Sequence, residues 1–221
     1  MSKIIIIGGI ESTYRNAQVL FEQGEEISMF FTRGSNSPGW EGVDLVNESQ
    51  FPFIQKVPKT IVNGNINEHV DLIYDLKPNY IWSLGWQQVF KEKLLSICPV
   101  LGIHESLLPE GAGPVPIANT ILHDQFQTGI TLFQLDKGVD TGQIIWQLRG
   151  LLDPRKTTST ELYNQAMLLS EDLIKVVLPF LNNNSAPRIA QSMELRTLYK
   201  KIDWDEWSEE KVSRAKTYPY I

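Results

Sequence analysis

Four consecutive isoleucines, Ile4 to Ile7, stopped by Gly8-Gly9, constrain the fold more tightly than any other stretch of the chain. β-Branched side chains are stiff at χ1 and suit an extended backbone. An apolar run without alternation belongs to a strand covered on both faces, as in a parallel sheet. Gly8-Gly9 turns the chain, Ser12 or Thr13 offers a helix cap, and a helix is expected to about Glu22, ended by Gly24. Ile27 to Phe31 reads as a second strand, so the chain opens as a βαβ unit. The turn does not spell G-x-G-x-x-G, and no Lys-Ser/Thr pair follows it. The residues therefore leave open whether it is a bare turn or one that touches a ligand.

The same alternation continues. Residues 33 to 50 are rich in Gly, Ser, Asn and Pro and read as a surface loop. A short strand is expected over Phe53 to Val57, and a helix over Asn67 to Leu76 that ends before Pro78. Tyr80 to Leu84 reads as a buried strand leaving through Gly85, Val89 to Leu95 as a short helix, and Val100 to Ile103 as the strand that delivers His104. Gln143 to Gln147 is another strand. Thr157, Thr158 or Ser159 caps a long helix whose apolar stripe is Leu162, Ala166, Leu169, Leu173, Val176, Val177 and Phe180. From Ala186 the chain becomes polar, with Trp204 and Trp207 in a tail. The expectation is an α/β fold with a mostly parallel central sheet flanked by helices. One domain would span residues 1–181, with 182–221 as an extension packed on it.

Composition narrows the function classes. The 221 residues suit one large domain, and a formal net charge of -6 argues against a broad nucleic-acid surface. The single cysteine, Cys98, builds neither a disulfide framework nor a zinc cluster and reads as a buried apolar side chain. No apolar stretch approaches the roughly 18 residues of a membrane span, and Met1-Ser2-Lys3 with the isoleucines is too short for a signal peptide. The protein is expected to be soluble and cytoplasmic.

Chemistry concentrates between His104 and Gly142. Ligands of open α/β sheets bind at the carboxyl ends of strands, where this reading places His104. An imidazole can shuttle protons at neutral pH. Asp140 sits between Gly138 and Gly142, a setting for an unusual backbone. A carboxylate beside an imidazole orients it, the base-and-orienter arrangement of many acyl-transfer sites. From spacing alone a structural histidine remains an alternative. A generic hydrolase is disfavoured, because no G-x-S-x-G elbow is present.

The run as a whole carries more. His104-Glu105-Ser106-Leu107-Leu108-Pro109, then Gly113, Pro116-Ile117, Thr128-Gly129-Ile130-Thr131 and Asp140-Thr141-Gly142 closely resemble the folate-dependent formyltransferase family. That family includes methionyl-tRNA formyltransferase, glycinamide ribonucleotide formyltransferase and the N-formyltransferases of nucleotide-linked amino sugars. The resemblance is specific over about residues 80–147. It implies a Rossmann-like formyltransferase domain that uses 10-formyltetrahydrofolate as co-substrate and no metal. His104 and Asp140 match the family's catalytic pair. The folate pocket maps to Gly85, Trp86, Gln87 and Val89 and to Leu135 through Asp140, Val139 included. Ser106 and Gly113 match the acceptor side, and Gly9 of the first turn is assigned there too. One position departs: where familiar members read Asn-x-His, this chain reads Gly102-Ile103-His104. Loss of one oxyanion donor typically costs about 10²–10³ in rate; a backbone N–H or His104 is expected to supply it, the alternatives being a remote Asn or a water, or a slow or altered enzyme.

The acceptor is read from what surrounds the motif. The family's tRNA enzyme adds a C-terminal barrel and a basic surface, which an acidic chain of this length does not suggest. The ribonucleotide enzyme grips a phosphate at its first turn, and Gly8 to Ser12 fits that poorly. Ile202-Asp203-Trp204 followed by Arg214-Ala215-Lys216-Thr217-Tyr218-Pro219-Tyr220 resembles segments of the sugar-nucleotide enzymes. The resemblance thus implies a nucleotide-linked amino sugar as acceptor, in surface polysaccharide or lipopolysaccharide O-antigen synthesis, with no nucleic acid or membrane partner and with a homodimer as the expected assembly. The alternatives are another small-amine formyltransferase, the ribonucleotide enzyme among them, or a catalytically impaired folate- or nucleotide-binding relative marked by Gly102.

Overall fold

β1 (Lys3–Ile7) is an interior strand of the sheet, with Ile4 to Ile7 all at 0% exposure. The computed structural model describes residues 1–35, 37 and 45–217. Part of the expected loop around Pro38-Gly39 and the Tyr218-Pro219-Tyr220 run lie outside the described residues. A seven-stranded sheet has the order β3-β2-β1-β4-β5-β6-β7. Its other strands are β2 (Glu26–Arg33), β3 (Lys59–Val62), β4 (Tyr80–Ser83), β5 (Val100–His104), β6 (Gly129–Gln134) and β7 (Ile144–Arg149). β1 pairs in parallel with β2 and β4, as do β2 with β3 and β4 with β5, whereas β7 runs antiparallel to β6. The α/β architecture with a mostly parallel sheet is as the alternation of elements requires. The chain forms two compact units: Met1–Gly102 with Ile174–Ala186, and Ile103–Leu173 with Pro187–Ile221.

In the first unit, α1 (Glu11–Glu22) starts after Ile10, so neither Ser12 nor Thr13 is the cap residue. Thr13 sits one turn in. Its Oγ1 accepts from the Ile10 N–H at 3.3 Å and donates to the Leu84 carbonyl at 2.6 Å, tying the helix start to the end of β4. The expected strand over Phe53 to Val57 is instead a 3₁₀ turn, Pro52–Lys56, and the strand comes later as β3. Pro52 lacks an N–H and its φ suits a first helical position, which favours the turn. α2 (Val70–Leu76) is continuous with a preceding 3₁₀ turn, Ile66–His69, and α3 (Glu92–Leu95) is a single turn, shorter than expected.

In the second unit, α4 (Pro116–Leu122) packs on α6 (Glu209–Ala215). His123 stacks on Tyr199 at 5.1 Å and meets the edge of Trp207 at 4.9 Å. Arg214 donates to the carbonyls of Pro154 and Thr157 at 2.9 and 3.2 Å, so this arginine of the tail motif anchors a loop. Ile189 pairs with Ile144, adding a bridge to β7. The long helix α5 (Ser159–Asn182) passes through both units. Thr158 caps it, with the Glu161 carboxylate accepting from the Thr158 N–H at 2.8 Å. Its buried stripe is Leu162, Tyr163, Ala166, Met167, Leu173, Ile174, Val177, Leu178 and Leu181. Val176 and Phe180, expected inside, are exposed at 44% and 39%, because the buried face is centred further round the helix, over Tyr163, Met167, Ser170, Ile174 and Leu178, which leaves these two at its edge.

Candidate functional site

β5 ends on His104, which is 8% exposed. Its Nε2 lies 2.8 Å from the Gly111 carbonyl oxygen. A carbonyl can only accept, so Nε2 carries a proton and Nδ1 is the nitrogen left to take one. Nδ1 lies 3.9 Å from Oδ2 of Asp140. That is too long for a direct hydrogen bond and short enough for charge to be felt. The same Oδ2 accepts from the Gly113 N–H at 2.8 Å. The structure thus brings together the two residues proposed from sequence as the catalytic pair, linked through one loop: His104 holds Gly111, and Asp140 holds Gly113.

That loop explains its glycines. Gly113 has φ +101, and a Cβ there would sit 2.6 Å from the Tyr199 carbonyl. Asp140 itself has φ +50, a left-handed conformation that Asp tolerates better than most residues. Behind His104, Thr131 is fully buried; its Oγ1 donates to the Ser106 carbonyl at 2.7 Å and accepts from the Leu108 N–H at 3.0 Å. Gln147 Nε2 donates to the Leu108 carbonyl and to Thr131 Oγ1, each at 2.8 Å. The Leu108-Pro109 peptide is cis. Leu108 packs with Ala112 and Phe133 in a small core, so the Ser-Leu-Leu-Pro turn is bolted to the sheet by side chains from β6 and β7.

The other candidates divide. The Ser106 hydroxyl donates to the Glu110 carbonyl at 2.8 Å and is buried, so it closes the turn. Leu135 packs against the Leu108, Ala112 and Phe133 core and serves packing, whereas Val139 is 56% exposed in the same loop region. In the first unit, Gly85 has φ +59, and a Cβ there would meet Ile10 at 2.5 Å. Trp86 is half-buried, Gln87 exposed and Val89 73% exposed. Their neighbour Gln88 is structural: it accepts from the Ile66 N–H at 2.8 Å and donates to the Gly64 carbonyl at 3.0 Å. A Cβ on Gly9 would lie 2.6 Å from Arg33 Cγ, and Arg33 Nε donates to the Gly9 carbonyl at 3.1 Å. Among the described residues no His, Cys, Asp and Glu cluster could hold a metal ion.

Sequence reasoning passed over Glu105. Burial pushes its carboxyl above the ordinary carboxylate range, the His104 charge and its own backbone N–H pull it back, and the Asp140 charge adds to the rise. Adjacency to His104 was the available signal, but only the fold reveals that Asp140 also bears on it.

The formyl transferase family matches residues 4–177, most of the chain. This chain belongs to that family. A methionyl-tRNA formyltransferase of Clostridioides difficile is 31% identical over 154 residues, which are 68% of this chain and 48% of that protein. The chain thus aligns with about half the length of that relative. Among solved structures, an N-formyltransferase from Helicobacter canadensis, in complex with folinic acid and dTDP-3-aminofucose, superimposes with TM-score 0.72 at 21% identity, over 99% of this chain and 81% of that one. A 4-N formyltransferase from Francisella tularensis gives TM-score 0.72 at 18% identity, over 100% of this chain and 90% of that one. At these identities the likeness is one of fold, and it agrees with a Rossmann-like formyltransferase domain.

Proposed function

We propose that this formyl transferase family member moves a formyl group from 10-formyltetrahydrofolate to the amine of a nucleotide-linked amino sugar. The observation that carries the reading is His104 held by Nε2 to the Gly111 carbonyl, with Nδ1 facing Asp140 at 3.9 Å. An unprotonated amine attacks the formyl carbon, forming a C–N bond while the carbonyl electron pair moves to oxygen. Nδ1 of His104 accepts the proton that the amine loses. Asp140 stabilises the resulting imidazolium across the gap, and a donor seated between the two atoms would be held by both. His104 then returns the proton to the departing folate nitrogen as the second C–N bond breaks, leaving tetrahydrofolate and the formamide. The growing oxyanion needs a preorganised donor. Gly102 brings no side chain for this, and a backbone N–H is assigned the role.

Folate binding is assigned to Trp86, Gln87, Val89 and Val139, which keep exposed or half-exposed faces, with Gly85 shaping the turn. Leu135 contributes through its packing on Leu108, Ala112 and Phe133. On the acceptor side Gly113 contributes, while Ser106 and Gly9 act through the backbone shape they set. The sugar-nucleotide assignment draws on the Helicobacter canadensis neighbour with its dTDP-3-aminofucose and on an open depression of about 530 Å³ lined by Lys201, Ile202, Asp203, Trp204, Asp205 and Lys216. Lys216 Nζ rests 4.4 Å above the Trp204 ring. With Lys216 on one face of Trp204, a base is left the other face to stack on, and Lys201 and Lys216 offset Asp203 and Asp205 in facing a diphosphate. The proposed setting is surface polysaccharide synthesis in the cytoplasm.

The test is direct. Purified protein with 10-formyltetrahydrofolate and a panel of nucleotide-linked amino sugars should release tetrahydrofolate and yield an acceptor heavier by one formyl group. If glycinamide ribonucleotide or another small amine is formylated and no sugar nucleotide is, the acceptor assignment fails. If nothing turns over and His104→Ala changes no measured property, formyl transfer itself is lost.

A further inference from the structure

Asp140 presents a mechanical problem. It is a non-glycine residue at φ +50, a conformation that costs energy and persists only when its surroundings enforce it. Its own side chain is engaged with Gly113, so the enforcement has to come through the backbone. The backbone carbonyls of this loop point at two side chains from far along the chain. Gln191 Nε2 donates to the Asp140 carbonyl at 2.9 Å and to the Gly142 carbonyl at 2.7 Å. The Arg196 guanidinium donates to the Asp140 carbonyl at 3.1 Å and to the Val139 carbonyl at 2.5 Å. Three acceptors around the strained residue, at 139, 140 and 142 in a four-residue span, are thereby fixed by two side chains.

The same segment grips the other half of the site. The Ala112 N–H donates to the Thr197 carbonyl at 3.0 Å, and the Tyr199 N–H to the Ala112 carbonyl at 2.7 Å. Thr197 Oγ1 accepts from the Gly111 N–H at 2.6 Å. Residues 191–199 therefore hold both the loop that fixes His104 Nε2 and the loop that carries the Asp140 carboxylate. Their own start is pinned by the Ile189–Ile144 pairing.

We propose that Gln191 and Arg196 are positioning residues for Asp140, clamping its loop so that one carboxylate oxygen is shared between the Gly113 N–H and the Nδ1 side of His104. The inference rests on the formyl-transfer reading of His104 and Asp140 for its kinetic consequence, but not for its structural one. Arg196 is suited to the task because its planar fork spans two neighbouring carbonyls, which a lysine ammonium cannot do in the same geometry. Gln191 spans Asp140 and Gly142 with a single amide nitrogen, leaving its Oε1 buried and without a hydrogen-bond partner, so its orientation answers to these carbonyls.

The test compares Arg196→Met, Arg196→Lys and Gln191→Leu with the intact protein. A shift of about 1 Å in a catalytic group can cost about 10²-fold. Arg196→Met is thus expected to lower kcat about ten- to a hundredfold with KM for donor and acceptor held within about threefold, Arg196→Lys to be intermediate, and Gln191→Leu to fall between wild type and Arg196→Met. Combined with Asp140→Asn, Arg196→Met should add little further loss, since both act on one group. Hydrogen exchange supplies a readout free of chemistry: the Gly113 amide, bonded to the Asp140 carboxylate, should exchange faster in Arg196→Met while β1 amides keep their protection. Unchanged Gly113 protection, a kinetic loss fully additive with Asp140→Asn, or a loss that tracks a general drop in β1 protection would each overturn the clamp. Should the wild-type protein transfer no formyl group to any acceptor, the functional reading falls, and Gly113 exchange still decides the clamp.

Discussion

Two glycine turns follow two strands of this sheet, and they use their glycines differently. After β1, Gly8 and Gly9 are crowded by the scaffold: a Cβ at Gly8 would lie 2.2 Å from the Leu84 carbonyl, and one at Gly9 would strike Arg33. After β5, the glycines of Gly111-Ala112-Gly113 have φ +71 and +101, and their backbone groups are held by titratable side chains, Gly111 by His104 and Gly113 by Asp140. The first turn is small because its neighbours leave no room. The second is shaped so that a ring nitrogen and a carboxylate can be fixed by the main chain. A sequence shows both as glycines near a strand end, and only the partners distinguish packing from chemistry.

The sharpest way to break this contrast is to remove the titratable groups. His104→Ala is expected to lower kcat by about 10²–10⁴, the range of general acid–base catalysis, with the fold intact by circular dichroism. Asp140→Asn should cost nearly as much and also loosen Gly113, measured by its amide exchange. Next in size is the glycine pair. Gly113→Ala forces a side chain against the Tyr199 carbonyl at a left-handed φ, and an activity loss of at least tenfold with about 1–3 kcal/mol of destabilisation is expected in denaturant titrations. Gly9→Ala drives a Cβ against the inner carbons of the buried, bonded Arg33 but has no left-handed φ to strain, and should cost less than Gly113→Ala.

The Gly102→Asn change probes the oxyanion. A backbone donor predicts less than about a tenfold change in kcat; a gain approaching the 10²–10³ worth of one donor would show that the family asparagine is missed. The smallest expected effect lies at Glu105. Its carboxyl is held above the ordinary value, so the folded state binds that proton more tightly than the unfolded chain does. This contribution to stability is complete below the unfolded value and is lost as pH rises through the folded one. Glu105→Gln is neutral throughout, so thermal melts should show it gaining on wild type as pH rises above the ordinary glutamate value, by a few degrees at most, since 1 kcal/mol moves a chain of this size about 2–4 °C. An equal difference below and above that value would remove Glu105 from the site's electrostatics.

How far the sequence could be read follows the range of the forces involved. The isoleucine run fixed β1 because burial on both faces leaves no alternation, and His104 at a strand end followed from the order of elements. Asp140 was reachable from its flanking glycines and from the family motif. Phe53 to Val57 misled because β-propensity weighed more than Pro52, and the α5 stripe was centred too far to one side because Tyr163, Met167 and Ser170 were left out of its buried face. Gln191 and Arg196 were invisible for a different reason. They act through hydrogen bonds to carbonyls about fifty residues away, and a carbonyl leaves no trace in the letter of the residue that bears it.

The bond from His104 Nε2 to Gly111 also gives the site a handedness. An imidazole that could turn over would present either nitrogen to an incoming group; one latched to a carbonyl cannot exchange its two faces without breaking that bond. Whatever reacts here must therefore approach from the Nδ1 side. If the proposed sugar-nucleotide acceptor holds, only amines whose lone pair reaches that side in the bound pose would be turned over. Regiochemistry would then be decided by a hydrogen bond on the far edge of the ring, with no wall of the pocket needed to enforce it.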